Sequence, residues 1–428
     1  MYLLKNAKIL DADTNYAQFD VLVDGDKIVE TAISIPVPEG CTVIDLEGYT
    51  LMPCFVDAHV HAGNVTRDRK GFEDSSIRKL AMMGVSLCKD DGILASLELE
   101  PYLEFLESCK TPNHARVVTA GRYIDVEGGY GMGPGAHMGG GPGGPGGPGG
   151  PGGPGGPGGM PGMDGPGGPG GMPPEMMDMG ASTGWGIKIE TAEEAADAVT
   201  YQFNAGTDGI KIGIADNGNQ MTLEQIKAIT DRAKSHGMWT TAHVGTSAAL
   251  QKLVDGGIGE AAHTPSDRMP DSLIAQMVAG GVSMITTVGE FSAEINGMDR
   301  MMNPGKTDEE LLAIRIERRK VVLDNLKRFV DAGGVVAIGT DLMNSDEKAK
   351  IPVSELRALR DAGLELSEII RCGTANAVAV CALDDEGYVR EGLLANLIAI
   401  PGELDEDFEK LDPPVFVMNQ GVILRDDR

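Results

Sequence analysis

Short apolar runs alternate with amphipathic stretches along this chain, and the texture changes with position. Over the first fifty residues the runs are brief and broken by turn residues. Val21-Leu22-Val23-Asp24-Gly25-Asp26-Lys27-Ile28-Val29 sets an Asp-Gly turn between two apolar stretches, which is a hairpin signal. The same texture returns late, in Leu397-Ile398-Ala399-Ile400-Pro401 and in Val415-Phe416-Val417-Met418 followed by Val422-Ile423-Leu424. Both ends therefore predict strands. The simplest arrangement joins residues 1–52 and 385–428 in one small β domain beside a larger one over 53–384.

The middle alternates strand-length apolar runs with helical patterns. The first run, Leu51–Val56, leads into Asp57-Ala58-His59-Val60-His61. Further runs lie at 84–89, 115–121, 209–213, 238–243, 259–263, 282–287 and 335–341, making eight candidate strands. Helices between them open at Thr191, Thr222 and Thr307, each with Glu or Gln three residues on, the pattern of a capping box. They stop near Gly206, Gly237 and Gly333. Eight β-then-α units predict an α/β chain built on a parallel (β/α)8 TIM barrel, with a small β-sandwich from both termini. A doubly wound open sheet is the alternative, but no G-x-G-x-x-G follows the first strand.

One segment breaks the alternation. Within an insertion at about 131–180, residues 139–171 are almost entirely Gly and Pro, with prolines at 142, 145, 148, 151, 154 and 157. Such residues bury little apolar surface, so a disordered or polyproline-like loop is expected. It follows the third strand, so on a barrel it would emerge at the C-terminal face. The readings are a neutral surface insertion, or a lid or partner-binding tail.

Composition narrows the class. Lys and Arg number 36 against 64 Asp and Glu, for a net charge of −28. That balance argues against nucleic acid or an anionic membrane as partner and leaves a small-molecule substrate, with a homo-oligomer compatible. The six cysteines form no C-x-x-C pair, which argues against a disulfide framework or a thiolate zinc site. No signal-like N-terminus and no apolar run of membrane-spanning length is present, so a cytoplasmic setting is expected.

Chemistry concentrates at the predicted strand ends. Side chains alternate along a strand, so His59 and His61 share one side. Of seven histidines, His243 and His263 also end strands, while His114, His137 and His236 fall in loops or at a helix end and take no role. Asp341 closes the eighth strand in Gly339-Thr340-Asp341. Lys211 sits mid-strand between Ile210 and Ile212, which is costly unless the lysine is wet, paired or modified. Carboxylation by CO2 would turn it into a bridging oxygen ligand. Strand ends 1, 4, 5, 6 and 8 meet at one mouth only if the barrel closes. Imidazole and oxygen ligands suit zinc, with manganese, iron or nickel as alternatives.

Taken together, Met52-Pro53 before Asp57-Ala58-His59-Val60-His61, Gly206-Thr207-Asp208-Gly209-Ile210-Lys211-Ile212, Thr241-Ala242-His243, Ala261-Ala262-His263, Gly339-Thr340-Asp341 and Gly373-Thr374-Ala375-Asn376-Ala377 resemble the amidohydrolase superfamily over nearly the whole chain. The twenty residues from His243 to His263 resemble its prolidase-like and imidazolonepropionase-like branch. The resemblance implies two divalent metals: His59, His61 and Asp341 on the first, His243 and His263 on the second, and carboxylated Lys211 bridging. It implies hydrolysis of a cyclic amide or imide, or of an N-acyl or dipeptide amide, by a metal-bridging hydroxide with Asp341 as general base and acid. Arg122, just past the third strand, is a candidate for a substrate carboxylate.

Three positions depart from the pattern. Cys54 stands where Gly is usual, Asn396 where Asp is usual, and Glu127-Gly128-Gly129-Tyr130 where a Gly-Gly-His loop is common. Two competing functions follow. A mononuclear deaminase would carry Glu three residues after the fifth-strand histidine, where this chain has Thr246. A non-catalytic relative would be expected to lack ligands, yet every expected ligand type is present.

Overall fold

The structure is a computed structural model that describes residues 1–62, 64–65, 71–93, 98–130, 186–214, 219–289, 295, 300, 303–343, 348–404 and 408–428. The Gly/Pro-rich insertion and His137 lie outside the described residues.

The N-terminal residues form β1 (Tyr2–Leu10), β2 (Asn15–Asp24), β3 (Lys27–Ala32), β4 (Thr42–Asp45) and β5 (Tyr49–Pro53). The Asp24-Gly25 turn joins β2 to β3 as the sequence predicts, with Gly25 at a φ of 59° that glycine adopts without strain. β1 pairs antiparallel with β2 on one edge and parallel with β4 and then β5 on the other. Its ladder to β2 shifts between Leu4 and Ala7, around Asn6, whose side chain bonds Asp45.

The larger unit holds β6 (Phe55–His61), a short hairpin of β7 (Asn64–Val65) and β8 (Phe72–Glu73), then β9 (Val85–Asp90), β10 (Arg116–Thr119), β11 (Tyr123–Asp125) and β12 (Gly186–Lys188). It continues with β13 (Gly209–Gly213), β14 (Trp239–His243), β15 (Glu260–Ala261), β16 (Ser283–Ile285), β17 (Val336–Ala337) and β18 (Leu342–Met343). Apart from the hairpin, these strands pair in parallel in two runs, β10-β9-β6-β18 and β12-β11-β13-β14-β15-β16-β17. Backbone hydrogen bonds stitch the runs together. Ala58 N donates to Ile338 O at 2.9 Å and Asp341 N to His59 O at 2.8 Å on one side; Asp208 N donates to Thr119 O at 2.9 Å on the other. The first of these seams is tight. A Cβ on Gly339 would lie 2.7 Å from His59 Cβ, so only glycine lets the Asp341 segment approach β6 this closely.

Helices Ala192–Ala205, Leu223–Ser235 and Asp308–Asp331 begin at the predicted threonines. Thr222 and Thr307 complete capping boxes with Gln225 and Glu310. Thr191 accepts from Glu194 N, but the Glu194 carboxylate takes the N–H of Glu190, so that cap is one-sided. The apolar faces of these helices (Val199, Ile226, Ile229, Val322 and Leu326) join Ile210 and Ile212 of β13 in the main core.

Three late strands, β19 (Leu397–Pro401), β20 (Phe416–Asn419) and β21 (Val422–Asp426), return to the N-terminal sheet. β19 pairs with β5 along its whole length, giving the order β21-β20-β19-β5-β1-β2-β3 with β4 beside β1. The two ends therefore share one eight-stranded sheet. β5 and β19 join the N- and C-terminal halves with no break in the strand order, and residues of β1, β2, β3, β19 and β20 share one apolar core. Alternation along β19 explains its attachment. Leu397 and Ala399 enter the sheet's own core with Leu4, Val21 and Phe416, while Ile398 and Ile400 enter the core of the larger unit.

Candidate metal centre

β6 delivers the first two candidate ligands. Its last residues carry Asp57, His59 and His61 on one side, with Val60 turned into the apolar core. His61 Nε2 lies 3.2 Å and His59 Nε2 3.5 Å from Asp341 Oδ1. Ligand atoms from all three residues fall within 4.8 Å of one another. Ligands about 2.0–2.2 Å from a tetrahedral ion stand roughly 3.3 Å apart, so the trio has the spacing of one coordination sphere.

The far nitrogens of the histidines are tied down. His59 Nδ1 donates to Ala262 O at 2.9 Å and His61 Nδ1 to Gly92 O at 2.7 Å. Those bonds put a proton on each Nδ1 and aim each Nε2 at Asp341, the nitrogen a metal would take in place of a proton. His263 Nδ1 meets Thr287 Oγ1 at 2.9 Å. Thr287 and Asp341 both carry positive φ, 45° and 54°, so strained backbone sits at two corners of the site. Asp57 holds the Asp341 turn: its carboxylate accepts from Thr340 N at 3.0 Å and Thr340 Oγ1 at 2.6 Å.

His243 and His263 complete the cluster. The His263 ring centre lies 4.7 Å from that of His59 and 4.6 Å from that of His243. Lys211 is fully buried, and its Nζ lies 3.5 Å from His59 Nε2 and 2.7 Å from Asp91 Oδ2. The wet strand end considered for Lys211 is therefore not what the fold provides: the lysine is paired. His59, His61 and Asp341 lie together with Lys211, which is mid-strand in β13, and His263 links them to His243.

Burial and charge set the protonation states. Burial, helped by the Lys211 charge, pulls the His59 imidazolium down to about 4. Burial and the neighbouring histidines hold His243 and His263 well below their ordinary range. Burial alone would raise the Asp341 carboxyl, but His59 and His61 outweigh it and hold it well below the ordinary carboxylate range. Burial pushes the Asp57 carboxyl up to about 7.

Four neighbours were not read from the sequence as site residues. Asp91 pairs with Lys211, and one layer deeper Lys89 Nζ meets Glu260 Oε1 at 2.5 Å, both fully enclosed. The signal was present as three charges, Lys89, Asp90 and Asp91, at the end of an apolar strand, since buried charges need partners. Tyr130 stacks on His243 with ring centres 3.7 Å apart and an interplanar angle of 13°. Its seat is Gly213, where a Cβ would collide with the ring at 2.7 Å. Arg122 lies elsewhere: its backbone N–H bonds Gln202, and its charge acts on Glu100 and Tyr201 of the flanking helices. Thr246 caps the helix Ser247–Asp255 by accepting from Ala249 N.

Comparisons with known proteins bear on this geometry. A family model described as "Amidohydrolase family" matches residues 166–424, more than half of the chain. Dihydroorotase of Staphylococcus aureus (strain N315) is 41% identical over 61 residues, which is 14% of this chain and 14% of that enzyme. Among solved structures, a Xaa-Pro dipeptidase with bound methionine in the active site superposes with a TM-score of 0.71 at 18% identity, covering 99% of each chain. A putative prolidase from Bifidobacterium longum superposes with a TM-score of 0.72 at 19% identity, covering 100% of this chain and 96% of that one. At such identities these likenesses speak for the fold alone. Among the described residues no helix is long and apolar enough to cross a membrane.

Proposed function

The chain belongs to the amidohydrolase family; from that premise we propose that it is a hydrolase that opens an amide-type C–N bond of a small molecule with the help of two divalent metal ions. The substrate classes that fit are a cyclic amide or imide and an N-acyl or dipeptide amide. Names borne by the compared proteins, dihydroorotase, Xaa-Pro dipeptidase and prolidase, support that range. The scaffold is read as a closed (β/α)8 barrel over residues 53–384, carrying a small β domain from 1–52 and 385–428. The two parallel strand runs and the hydrogen bonds that stitch them support it.

The observation that carries the reading is the trio of His59, His61 and Asp341, with ligand atoms within 4.8 Å of one another and both imidazoles anchored through Nδ1. These residues would hold one ion, His243 and His263 a second, and Lys211, carboxylated by CO2, would bridge. Zinc suits the donor set, with manganese, iron or nickel as alternatives. Bound there, such ions supply Lewis acidity and lower the pKa of water. Asp341 lies beside both imidazoles, and its carboxylate would accept the proton of the attacking water and return it to the leaving nitrogen. Tyr130, flat against His243, shields that imidazole on one face. The deaminase alternative lacks its acid: Thr246 is occupied as a helix cap.

The test is a panel of cyclic imides, acyl-amino acids and Xaa-Pro or Xaa-Arg dipeptides, run on protein of measured metal content. Hydrolysis of one class that disappears on chelation and returns with added metal is expected. Ammonia release from a ring substrate with a single bound metal would favour the deaminase.

A further inference from the structure

Among the described residues, Asp91 is the one carboxylate at the site that the ligand set above leaves without a task. It follows β9 directly. Lys89 and Asp91 fall on the same side by alternation, and Asp90 falls on the other. Asp90 is satisfied there, accepting from Tyr102 OH and Thr119 Oγ1 at 2.7 Å each and from Ala62 N at 3.1 Å. Lys89 has Glu260. Asp91 is completely buried, and its Oδ2 lies 2.7 Å from Lys211 Nζ and 3.6 Å from His59 Nε2. Its Oδ1 has no hydrogen-bond partner among the described residues.

A carboxylate offers about four acceptor positions, and a fully buried oxygen without a donor is rare in native proteins. If Asp91 served only to neutralise Lys211, half of its capacity would be stranded in the interior. The distance from Oδ2 to His59 Nε2 matches the roughly 3.3 Å between two ligands of one ion. A carboxylated Lys211 sharpens the argument: it would set a second anion against Asp91, a repulsion that a cation between them would relieve. We propose that Asp91 is a direct carboxylate ligand of the metal pair, shared between the His59 side and the Lys211 side. This rests on the two-metal reading above and adds a ligand that reading does not contain.

The test is a crystal structure of the wild-type protein loaded with Mn2+, with ions located by anomalous scattering. An Asp91 oxygen within about 2.2 Å of an ion is the expected result. Ions held by the histidines and Asp341, with Asp91 still on Lys211 and beyond 3 Å or so of any ion, would overturn the inference and leave the two-metal reading standing. No ion at the cluster would overturn both. In solution, Asp91→Asn is expected to weaken binding of one Mn2+ at least tenfold by calorimetric titration, with the far-UV circular dichroism unchanged. Two wild-type affinities in that folded variant would likewise contradict the assignment.

Discussion

At the scale of single residues, His59, His61 and His263 are each oriented by a bond on the side of the ring away from the cluster. His263 illustrates this. Its Nδ1 is oriented by Thr287 Oγ1, and Thr287 reaches it from a φ of 45°, unusual for a β-branched residue. Removing such an orienting partner typically costs about 10–100-fold in metal affinity. Thr287→Ala is therefore expected to weaken one metal site by that amount, read by competition with a chromophoric chelator, while the fold persists. Wild-type affinity would show that the hydroxyl does not orient the ring. The positions of the six candidate residues were legible, five at the ends of apolar runs and Lys211 inside one, while their roles as ligands came from the family resemblance. Asp91, Glu260 and Tyr130 were not, because what marks them is a partner distant in sequence: Lys211 for Asp91, Lys89 for Glu260, and His243 for Tyr130.

At the scale of elements, two features hold the site's frame. The Asp341 segment presses on β6 through Gly339, with room for no side chain. Gly339→Ala is expected to push His59 and Asp341 apart and to lower thermal stability by about 1–3 kcal/mol, as overpacking does. A melting temperature within a degree of wild type would contradict the tight seam. In the terminal sheet, Asp20 accepts from Lys5 Nζ at 2.7 Å, and from Asn6 N and Ile35 N at 2.9 Å each. Burial raises its carboxyl, but these donors outweigh burial and leave it below its ordinary 3.8. A depressed folded-state pKa stabilises the fold above the unfolded value and is lost as pH falls through the folded one. Asp20→Asn should therefore cost about 1–3 kcal/mol at neutral pH, and the gap to wild type should narrow below pH 3.8. A gap unchanged between pH 7 and pH 3 would contradict the linkage. The sequence foretold these strands through their apolar alternation. It did not foretell that they merge into one ladder, because register between β5 and β19 is set by pairing across hundreds of residues.

At the scale of the whole molecule, the residues gathered at the candidate site come from distant parts of the chain, from His59 to Asp341. Ions bound there would cross-link the larger unit and stabilise only the folded state. At a hundredfold excess over Kd, each ion is worth about 2.7 kcal/mol. Chelation should lower the melting temperature by several degrees and re-addition restore it; a melting curve indifferent to chelator would argue that these side chains hold no ion. The central claim is that Asp341 handles the proton in metal-assisted cleavage of a C–N bond. Asp341→Asn tests it most directly, with metal content and turnover measured on the same preparation against the substrate class found active. The account predicts metal retained at saturating concentration and turnover reduced about 10²–10⁴-fold. Full turnover by the metal-loaded variant would contradict it.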